Sequence, residues 1–215
     1  MNIVFDIDDS ILDTTAAIRD YYLSLYPCAD ISEYDYVSDW NIYSDDKLNG
    51  FKTLIAGFFD SPYLEKINPL PGAVDVIRRL KQSGHLLSVL SASTNKPENT
   101  ERRKKYLECL LGTGVIDNFC FIGPLDSKKD KLAELKADIL VDDGMKNVQT
   151  ALEIGICGIL LRTKQNAKYI DLMNSNDAPE SIQPSFWKYD FDKIRGKAIV
   201  VSDWQQILQI IEDKE

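Results

Sequence analysis

Short runs of mostly apolar residues alternate with helical periodicity along most of this chain. The runs lie at residues 3–5, 86–90, 119–122, 139–141, 158–161 and 198–201. Between them, apolar residues recur at three- and four-residue intervals, as Val74, Ile77 and Leu80 do. Strands that are apolar throughout are typical of parallel sheets buried on both faces, and parallel strands need helical crossovers. We therefore predict an α/β fold with a parallel sheet covered by helices on both faces.

One segment interrupts this alternation. Residues 29–68 hold many aromatic and acidic residues but few strand-like runs, and an Asn-Pro-Leu-Pro-Gly linker follows at residues 68–72. A chain of 215 residues is long enough for one domain with an insertion. We expect a Rossmann-like core made of residues 1–13 and 69–215, with a small helical cap at residues 14–68 inserted after the first strand.

Near the carboxyl terminus, residues 164–197 are the least regular part of the sequence. They are rich in Asn, Ser, Asp and Pro and carry an aromatic group around Trp187. We expect a long surface loop that is packed by its own aromatic side chains.

The composition excludes several classes of partner. The formal net charge of −9 and the pI of about 4.7 argue against binding to a nucleic-acid backbone or an anionic membrane. The four cysteines show no metal-ligand spacing, and two of them, Cys120 and Cys157, lie in apolar runs. We therefore expect reduced thiols and a cytoplasmic protein. The single histidine, His85, argues against a histidine-rich metal site.

Polar side chains follow three of the predicted strands. Asp6 and Asp8 come directly after the first strand, Ser91 ends the second, and Asp142 and Asp143 end the fourth. Because the carboxyl ends of parallel strands lie at one edge of a sheet, we expect these side chains to converge. Clustered carboxylates repel one another unless a cation compensates them, and hard oxygen ligands favour magnesium.

Positive charge is predicted near the same edge. Lys128, Lys129 and Lys131 begin the helix that precedes the fourth strand. Carboxylates, a hydroxyl and an ammonium group around one crevice suit a magnesium-bound phosphate. Asp9 is expected to be a solvated turn residue, because the other aspartates already satisfy an octahedral ion that keeps several waters.

These segments resemble the four motifs of the haloacid dehalogenase-like phosphohydrolases. DIDDS at residues 6–10 is similar to the first motif, Asp-x-Asp-x-Thr/Ser, and LLSVLS at residues 86–91 is similar to the second. Lys128 and its neighbours fit the third motif, and ILVDD at residues 139–143 fits the fourth. The Pro-Leu-Pro-Gly-Ala segment, the Trp-containing insertion and the double Asp look most like the 5'(3')-deoxyribonucleotidases and related bacterial or phage nucleotidases.

The resemblance implies a role for each matching residue. Asp6 is the expected nucleophile, which forms an aspartyl-phosphate, and Asp8 is the expected general acid and then general base. Mg²⁺ is expected to bind the Asp6 carboxylate, the Asp8 main-chain carbonyl and Asp143. Ser91 and the backbone N–H of Ala92 are expected to bind the phosphoryl oxygens.

Two parts of the site stay open in the sequence. The phosphate-neutralising lysine, oriented by Asp142, is Lys128 by the general superfamily spacing and Lys131 by the nucleotidase spacing. In the cap, Trp40 and Phe58 are candidate substrate contacts, although aromatic residues in a small cap more often form its own core.

The expected function is that of a Mg²⁺-dependent phosphomonoesterase acting on a small phosphorylated metabolite, most readily a (deoxy)nucleoside 5'-monophosphate. A sugar-phosphate or other small-metabolite phosphatase is the alternative, and a catalytically silent binding module is a third. Nucleotidases usually carry Gly after the second motif Asp and a base-stacking aromatic residue soon after, where this chain has Asp9 and Thr14. We expect a small phosphorylated substrate, no nucleic-acid polymer or membrane as partner, and a monomer or homodimer.

Overall fold

The computed structural model describes residues 1–32, 47–92, 96–182 and 188–214. In this part of the chain, six parallel strands form one sheet in the order β3-β2-β1-β4-β5-β8, and β6 and β7 form a separate antiparallel pair. The strands are β1 (Asn2–Phe5), β2 (Leu86–Ser91), β3 (Asn118–Phe121), β4 (Ile139–Asp142), β5 (Cys157–Leu161), β6 (Ser181–Ile182), β7 (Tyr189–Asp190) and β8 (Ile199–Val201). The predicted α/β class with a parallel sheet is confirmed.

Helices connect the strands of the sheet and cover both of its faces. They are α1 (Thr14–Leu25), α2 (Lys47–Asp60), α3 (Ala73–Gln82), α4 (Pro97–Leu111), α5 (Lys129–Glu134), α6 (Met145–Glu153), α7 (Ala167–Met173), α8 (Phe191–Ile194) and α9 (Trp204–Glu212), with a 3₁₀ turn at Pro62–Glu65. No helix in the described ranges is both long and apolar enough to cross a lipid bilayer.

The central strand shows why the sequence runs are apolar throughout. Ile3 and Phe5 pack on one face of the sheet in a cluster that includes residues of α3 and α9. Val4 points to the other face and packs with Leu132 of α5 and Ala151 of α6. Since successive side chains of a strand alternate between faces, a strand covered on both sides favours apolar residues at every position.

The order of the strands creates a crevice beside β1. The chain builds outward from β1 through β2 to β3, and then crosses back to place β4 on the other side of β1. Ligands of open α/β sheets bind outside the carboxyl ends of the strands at such a reversal. Phe5 is paired with Val89 of β2 and with Val141 of β4, so the ends of the three strands lie at the same level.

The cap helices leave and rejoin the core at adjacent points. The Asp13 N–H donates to the Asn68 carbonyl over 2.9 Å, and the Leu70 N–H donates to the Ile11 carbonyl over 2.8 Å. Helices α1 and α2 and the 3₁₀ turn lie between these connections. The division at residues 13/14 and 68/69 stays a prediction.

The prediction of a long loop at residues 164–197 is wrong for the part of this segment that the structure describes. Residues 164–182 and 188–197 contain α7, α8 and the two short strands β6 and β7. Tyr169, Tyr189 and Phe191 form a second core with Val148 of α6. These elements span only two to seven residues, which is too short for sequence periodicity to reveal. Trp187 lies outside the described residues.

Trp204 joins the last helix to the first strand. Its side chain is buried, its ring centroid lies 5.5 Å from that of Phe5, and its indole N–H donates to the Ser10 carbonyl over 3.1 Å. Helix α9 therefore supports both β1 and the loop that follows it.

We expect Trp204→Ala to lower the free energy of unfolding by about 3–5 kcal/mol, because it removes a large buried ring and leaves a cavity. Chemical denaturation followed by circular dichroism measures the change. Leu125→Ala is the matched control, since that side chain is 78% exposed, and it should change stability by less than ~0.5 kcal/mol. Equal effects of the two substitutions would contradict this assignment of the core.

Candidate active site

The loop after β1 is a tight turn that presents its acidic residues at the crevice. The Asp6 N–H continues the sheet by donating to the Val141 carbonyl over 2.9 Å. The Ile7 carbonyl then accepts the N–H groups of Ile11 and Leu12 at 3.0 and 2.9 Å. Asp9 has a φ of 52°, in the left-handed region that aspartate tolerates better than most residues. The turn thus closes within a few residues and holds Asp6 and Asp8 beside the switch in strand order.

A buried lysine joins the ends of β1 and β4. Lys128, which is 1% exposed, donates to Asp6 over 2.5 Å and to Asp142 over 2.7 Å. Lys131 points away from this cluster and donates to Glu134 over 2.5 Å at the surface. Of the two candidate lysines, the structure brings Lys128 to the carboxylates, and the position of Lys131 argues against a role in phosphate binding.

The two aspartates that end β4 have different surroundings. Both Asp142 oxygens are engaged, one with Lys128 and the other with the Gly144 N–H and the Asn147 amide at 2.7 and 3.0 Å. Asp143 faces Ser10, whose hydroxyl lies 3.5 Å from the Asp143 carboxylate and accepts the Asp143 N–H over 3.0 Å. Asp142 is thus fixed as an anchor for Lys128.

Three carboxylates converge closely enough to hold a metal ion. Asp6, Asp142 and Asp143 each offer one oxygen, and these oxygens lie within 4.8 Å of one another. Oxygen ligands at this spacing suit a hard divalent cation such as Mg²⁺. Asp6 and Asp143 are the better ligand candidates, because the oxygens of Asp142 already accept hydrogen bonds from the protein.

Burial makes the charges in this cluster costly. It raises the pKa of Asp6 to about 7, against the opposing attraction of Lys128. Burial and the neighbouring Asp9 and Asp142 raise the pKa of Asp143 well above its usual range. A cation bound between Asp6 and Asp143 would offset the repulsion between the carboxylates, which contributes to these raised pKa values.

Asp8 is held as an anion by three donors. Its Oδ1 accepts from Thr14 Oγ1 and from the Arg103 guanidinium, each at 2.7 Å, and its Oδ2 accepts from Ser91 Oγ at 3.1 Å. Burial opposes the charge, but Arg103 and the two hydroxyl groups lower the pKa of Asp8 below its usual value. The predicted acid–base residue therefore lies beside the predicted phosphate-binding hydroxyl of Ser91, and Ala92 follows directly at the end of β2.

Asp9 is not the solvated residue that we expected. It is 8% exposed, and its carboxylate accepts the N–H of Thr15 over 2.8 Å and also the Thr15 hydroxyl. Burial raises the pKa of Asp9 to about 7, although the Thr15 hydrogen bonds oppose the shift. Asp9 therefore joins the turn to α1. This contact depends on the conformation of the turn, so the spacing of the residues in the sequence did not predict it.

The candidate substrate contacts in the cap do not gain support. Phe58 has no exposed surface and packs against Tyr21 and Phe59, with ring centroids 6.0 and 5.4 Å away. This placement argues against a substrate contact, because a fully buried ring reaches a ligand only if the cap repacks. Trp40 lies outside the described residues.

Sequence reasoning missed Arg103. The residue lies on α4 and is buried together with Asn99, Leu107 and Leu111. These four residues recur at four-residue intervals and so share one face of the helix. A charged residue on the apolar face of a helix was the available signal, but the surrounding sequence ERRKK hides it among exposed charges.

Several solved structures share the fold of this chain. A haloacid dehalogenase-like hydrolase from Streptococcus pneumoniae superposes with a TM-score of 0.65 and 13% identity, covering 98% of this chain and 97% of that one. A protein described as a predicted phosphatase from Clostridium acetobutylicum gives 0.67 and 16%, covering 99% and 98%. CbbY from Rhodobacter sphaeroides, in complex with xylulose-1,5-bisphosphate, gives 0.54 and 14%, covering 77% and 88%. The fold is that of the haloacid dehalogenase-like hydrolases.

A match to a family model shows the family to which the chain belongs. A family model described as "5' nucleotidase, deoxy (Pyrimidine), cytosolic type C protein" matches residues 1–182. The chain belongs to this family of haloacid dehalogenase-like hydrolases. No curated protein matches the sequence significantly.

Replacing Lys128 tests the central ion cluster. We expect Lys128→Met to lower the free energy of unfolding at neutral pH by about 3–5 kcal/mol, because it leaves two buried carboxylates without their cation. Denaturant titration gives the measurement. Lys131→Met is the matched control three residues away, and its stability should equal that of the wild type within experimental error. A Lys128→Met protein as stable as the control would contradict the buried ion cluster.

Proposed function

We propose that this chain is a Mg²⁺-dependent phosphomonoesterase that forms an aspartyl-phosphate on Asp6 and hydrolyses a (deoxy)nucleoside 5'-monophosphate. The observation that carries the proposal is the meeting of Asp6, Lys128 and Asp142 at the switch in strand order, with Asp8 and Ser91 on the other side of Asp6. A nucleophile, a fixed cation and an acid–base group in one crevice are the parts that phosphoryl transfer requires.

In the first step, an Asp6 oxygen attacks the phosphorus atom and the bond from phosphorus to the leaving oxygen breaks. The negative charge of the bound phosphate ester raises the pKa of Asp8 and opposes the effect of Arg103, so Asp8 meets the ester as a carboxylic acid. It gives its proton to the leaving alkoxide, and the product is an alcohol. Lys128 and the Ser91 hydroxyl stabilise the charge on the phosphoryl oxygens. Because Lys128 is already anchored by Asp142, it needs no rearrangement as that charge develops.

In the second step, water attacks the phosphorus atom of the aspartyl-phosphate. Asp8 takes a proton from this water, the bond from phosphorus to the Asp6 oxygen breaks, and inorganic phosphate leaves. Asp6 is then a free carboxylate again, and Asp8 carries the proton needed for the next leaving group. Two short displacements thus replace one direct attack of water on the ester.

The carboxylate cluster fits a magnesium ion. The Asp6 and Asp143 carboxylates and the main-chain carbonyl of Asp8 would hold it, while Asp142 stays with Lys128. The chemistry that Mg²⁺ supplies is neutralisation of phosphate charge, which lets an anionic nucleophile approach an anionic ester.

The family match supports a nucleotide as substrate. A second candidate, a sugar phosphate or another small phosphate ester, is favoured by Thr14. Nucleotidases usually carry an aromatic residue at this position, but here Thr14 donates to Asp8 and offers no ring for a base. The cap must then recognise the base elsewhere if the substrate is a nucleotide.

Phosphate release from a panel of nucleoside 5'-monophosphates and sugar phosphates tests the proposal. We expect kcat/KM for the best nucleotide to exceed that for the best sugar phosphate by at least about tenfold, equivalent to ~1.4 kcal/mol of transition-state discrimination. A chelator should abolish turnover, and added Mg²⁺ should restore it. Equal turnover of nucleotides and sugar phosphates would exclude the nucleotidase assignment but not the phosphatase assignment. Absence of turnover on every substrate with Mg²⁺ present would favour a catalytically silent binding module.

Asp6→Asn tests the nucleophile. We expect kcat to fall about a thousandfold or more, because an amide oxygen cannot form the aspartyl-phosphate. Steady-state kinetics gives the loss, and circular dichroism checks that the fold is kept. Asp20→Asn, on the exposed side of α1, is the matched control and should keep the wild-type rate. Substantial activity in Asp6→Asn would place the nucleophile elsewhere.

A further inference from the structure

Arg103 is a buried cation that contacts both Asp8 and Ser91 in the candidate active site. It is 2% exposed, and its guanidinium donates to Asp8 Oδ1 over 2.7 Å and to Ser91 Oγ over 3.2 Å. Burying an arginine is costly unless its charge is paired. The pairing here is with the acid–base carboxylate and with the hydroxyl proposed to bind phosphate. These two groups also bond to each other directly, over 3.1 Å, so Arg103 reinforces a contact that they already make.

The same guanidinium also touches the cap. Its central carbon lies 5.2 Å from the ring centroid of Phe59, a buried residue near the end of α2. A guanidinium can stack on an aromatic face while its edge donates hydrogen bonds, whereas the compact ammonium of lysine cannot do both. Arg103 therefore lies between the cap and Asp8 and contacts both.

Helix α4 also holds the backbone around Phe59 through Arg102. Arg102 pairs with Glu65 at 2.6 Å and donates to the carbonyls of Phe59 and Ser61 at 3.0 and 2.8 Å. One turn further on, the Tyr106 hydroxyl donates to the Ile67 carbonyl over 2.5 Å. The helix that carries Arg103 is thus docked along the segment from Phe59 to Ile67, and the position of this segment is tied to that of Arg103.

We propose that Arg103 is a positioning residue that holds the Asp8 carboxylate and the Ser91 hydroxyl in one geometry and links both to the cap through Phe59. The inference rests on the proposed phosphatase function. Asp8 must reach the leaving oxygen while Ser91 holds the phosphoryl group, and Arg103 reinforces the relative position of these two groups. A movement of the cap at Phe59 changes the packing of the guanidinium and therefore the placement of Asp8.

Steady-state kinetics of Arg103 variants tests the positioning role. We expect Arg103→Met to lower kcat about a hundredfold, within the usual range for lost acid–base catalysis, with KM changed less than about threefold. Arg103→Lys should recover part of that loss, because it keeps the charge but not the fork of donors. Lys105→Met, an exposed residue two positions along the same helix, is the control and should keep the wild-type kcat and KM.

Thermal denaturation of each variant separates positioning from folding. If Arg103→Met does not fold, folded Arg103→Lys decides the matter, since a wild-type kcat in that variant would overturn the inference. A KM that rises as much as kcat falls would also overturn it, because it would assign Arg103 to substrate binding. Failure of the wild type on all substrates would overturn the proposed function itself, whereas an active wild type with an equally active Arg103→Met overturns the positioning role alone.

A double-mutant cycle tests the link to the cap. Phe59→Leu removes the ring from the guanidinium and keeps an apolar side chain. We expect this variant to lower kcat severalfold, and the combination with Arg103→Lys to cost less than the product of the two single losses. Independent effects would show that the cap contact does not act through Arg103 and would overturn that part of the proposal.

Discussion

The site depends on one buried ammonium group. Lys128 carries its charge between Asp6 and Asp142, and all three side chains are nearly excluded from water. A buried charge of this kind is stable only when its oppositely charged partners are in place. The three residues come from a loop after β1, the start of α5 and the end of β4. Their ion pairs therefore require the sheet to be assembled, and any error in the pairing of β1 with β4 would leave buried charges without partners.

The strand order supplies what this cluster needs. Because β4 returns to the side of β1 opposite β2, the Asp6 turn has an aspartate pair on one side and Ser91 on the other. The divergent surroundings of Asp6 and Asp8, two residues apart, follow from this placement. Burial beside other carboxylates raises the pKa of Asp6, whereas Arg103 and two hydroxyl groups lower that of Asp8. One short turn thus holds two aspartates in different electrostatic surroundings.

Much of this arrangement could be predicted from local patterns. Apolar runs indicated a sheet covered on both faces, and the polar residues directly after those runs indicated one edge, because parallel strands all end there. The spacing of Asp6, Ser91 and Asp143 relative to their strands was therefore enough to place them together. By contrast, the short elements between β5 and β8 were missed, since helices of four to seven residues leave almost no periodicity.

The sequence by itself determined the fold class, the family and the set of acidic residues at the crevice, because these depend on patterns within single elements. Only the tertiary structure showed that Lys128, and not Lys131, lies with the carboxylates. It also showed that Asp9 is buried against Thr15 and that Arg103 lies beside Asp8. The physical reason is common to all three cases. Whether a charged side chain is buried depends on partners supplied by distant segments, and residues a few positions apart on one charged stretch look alike until those partners are in place.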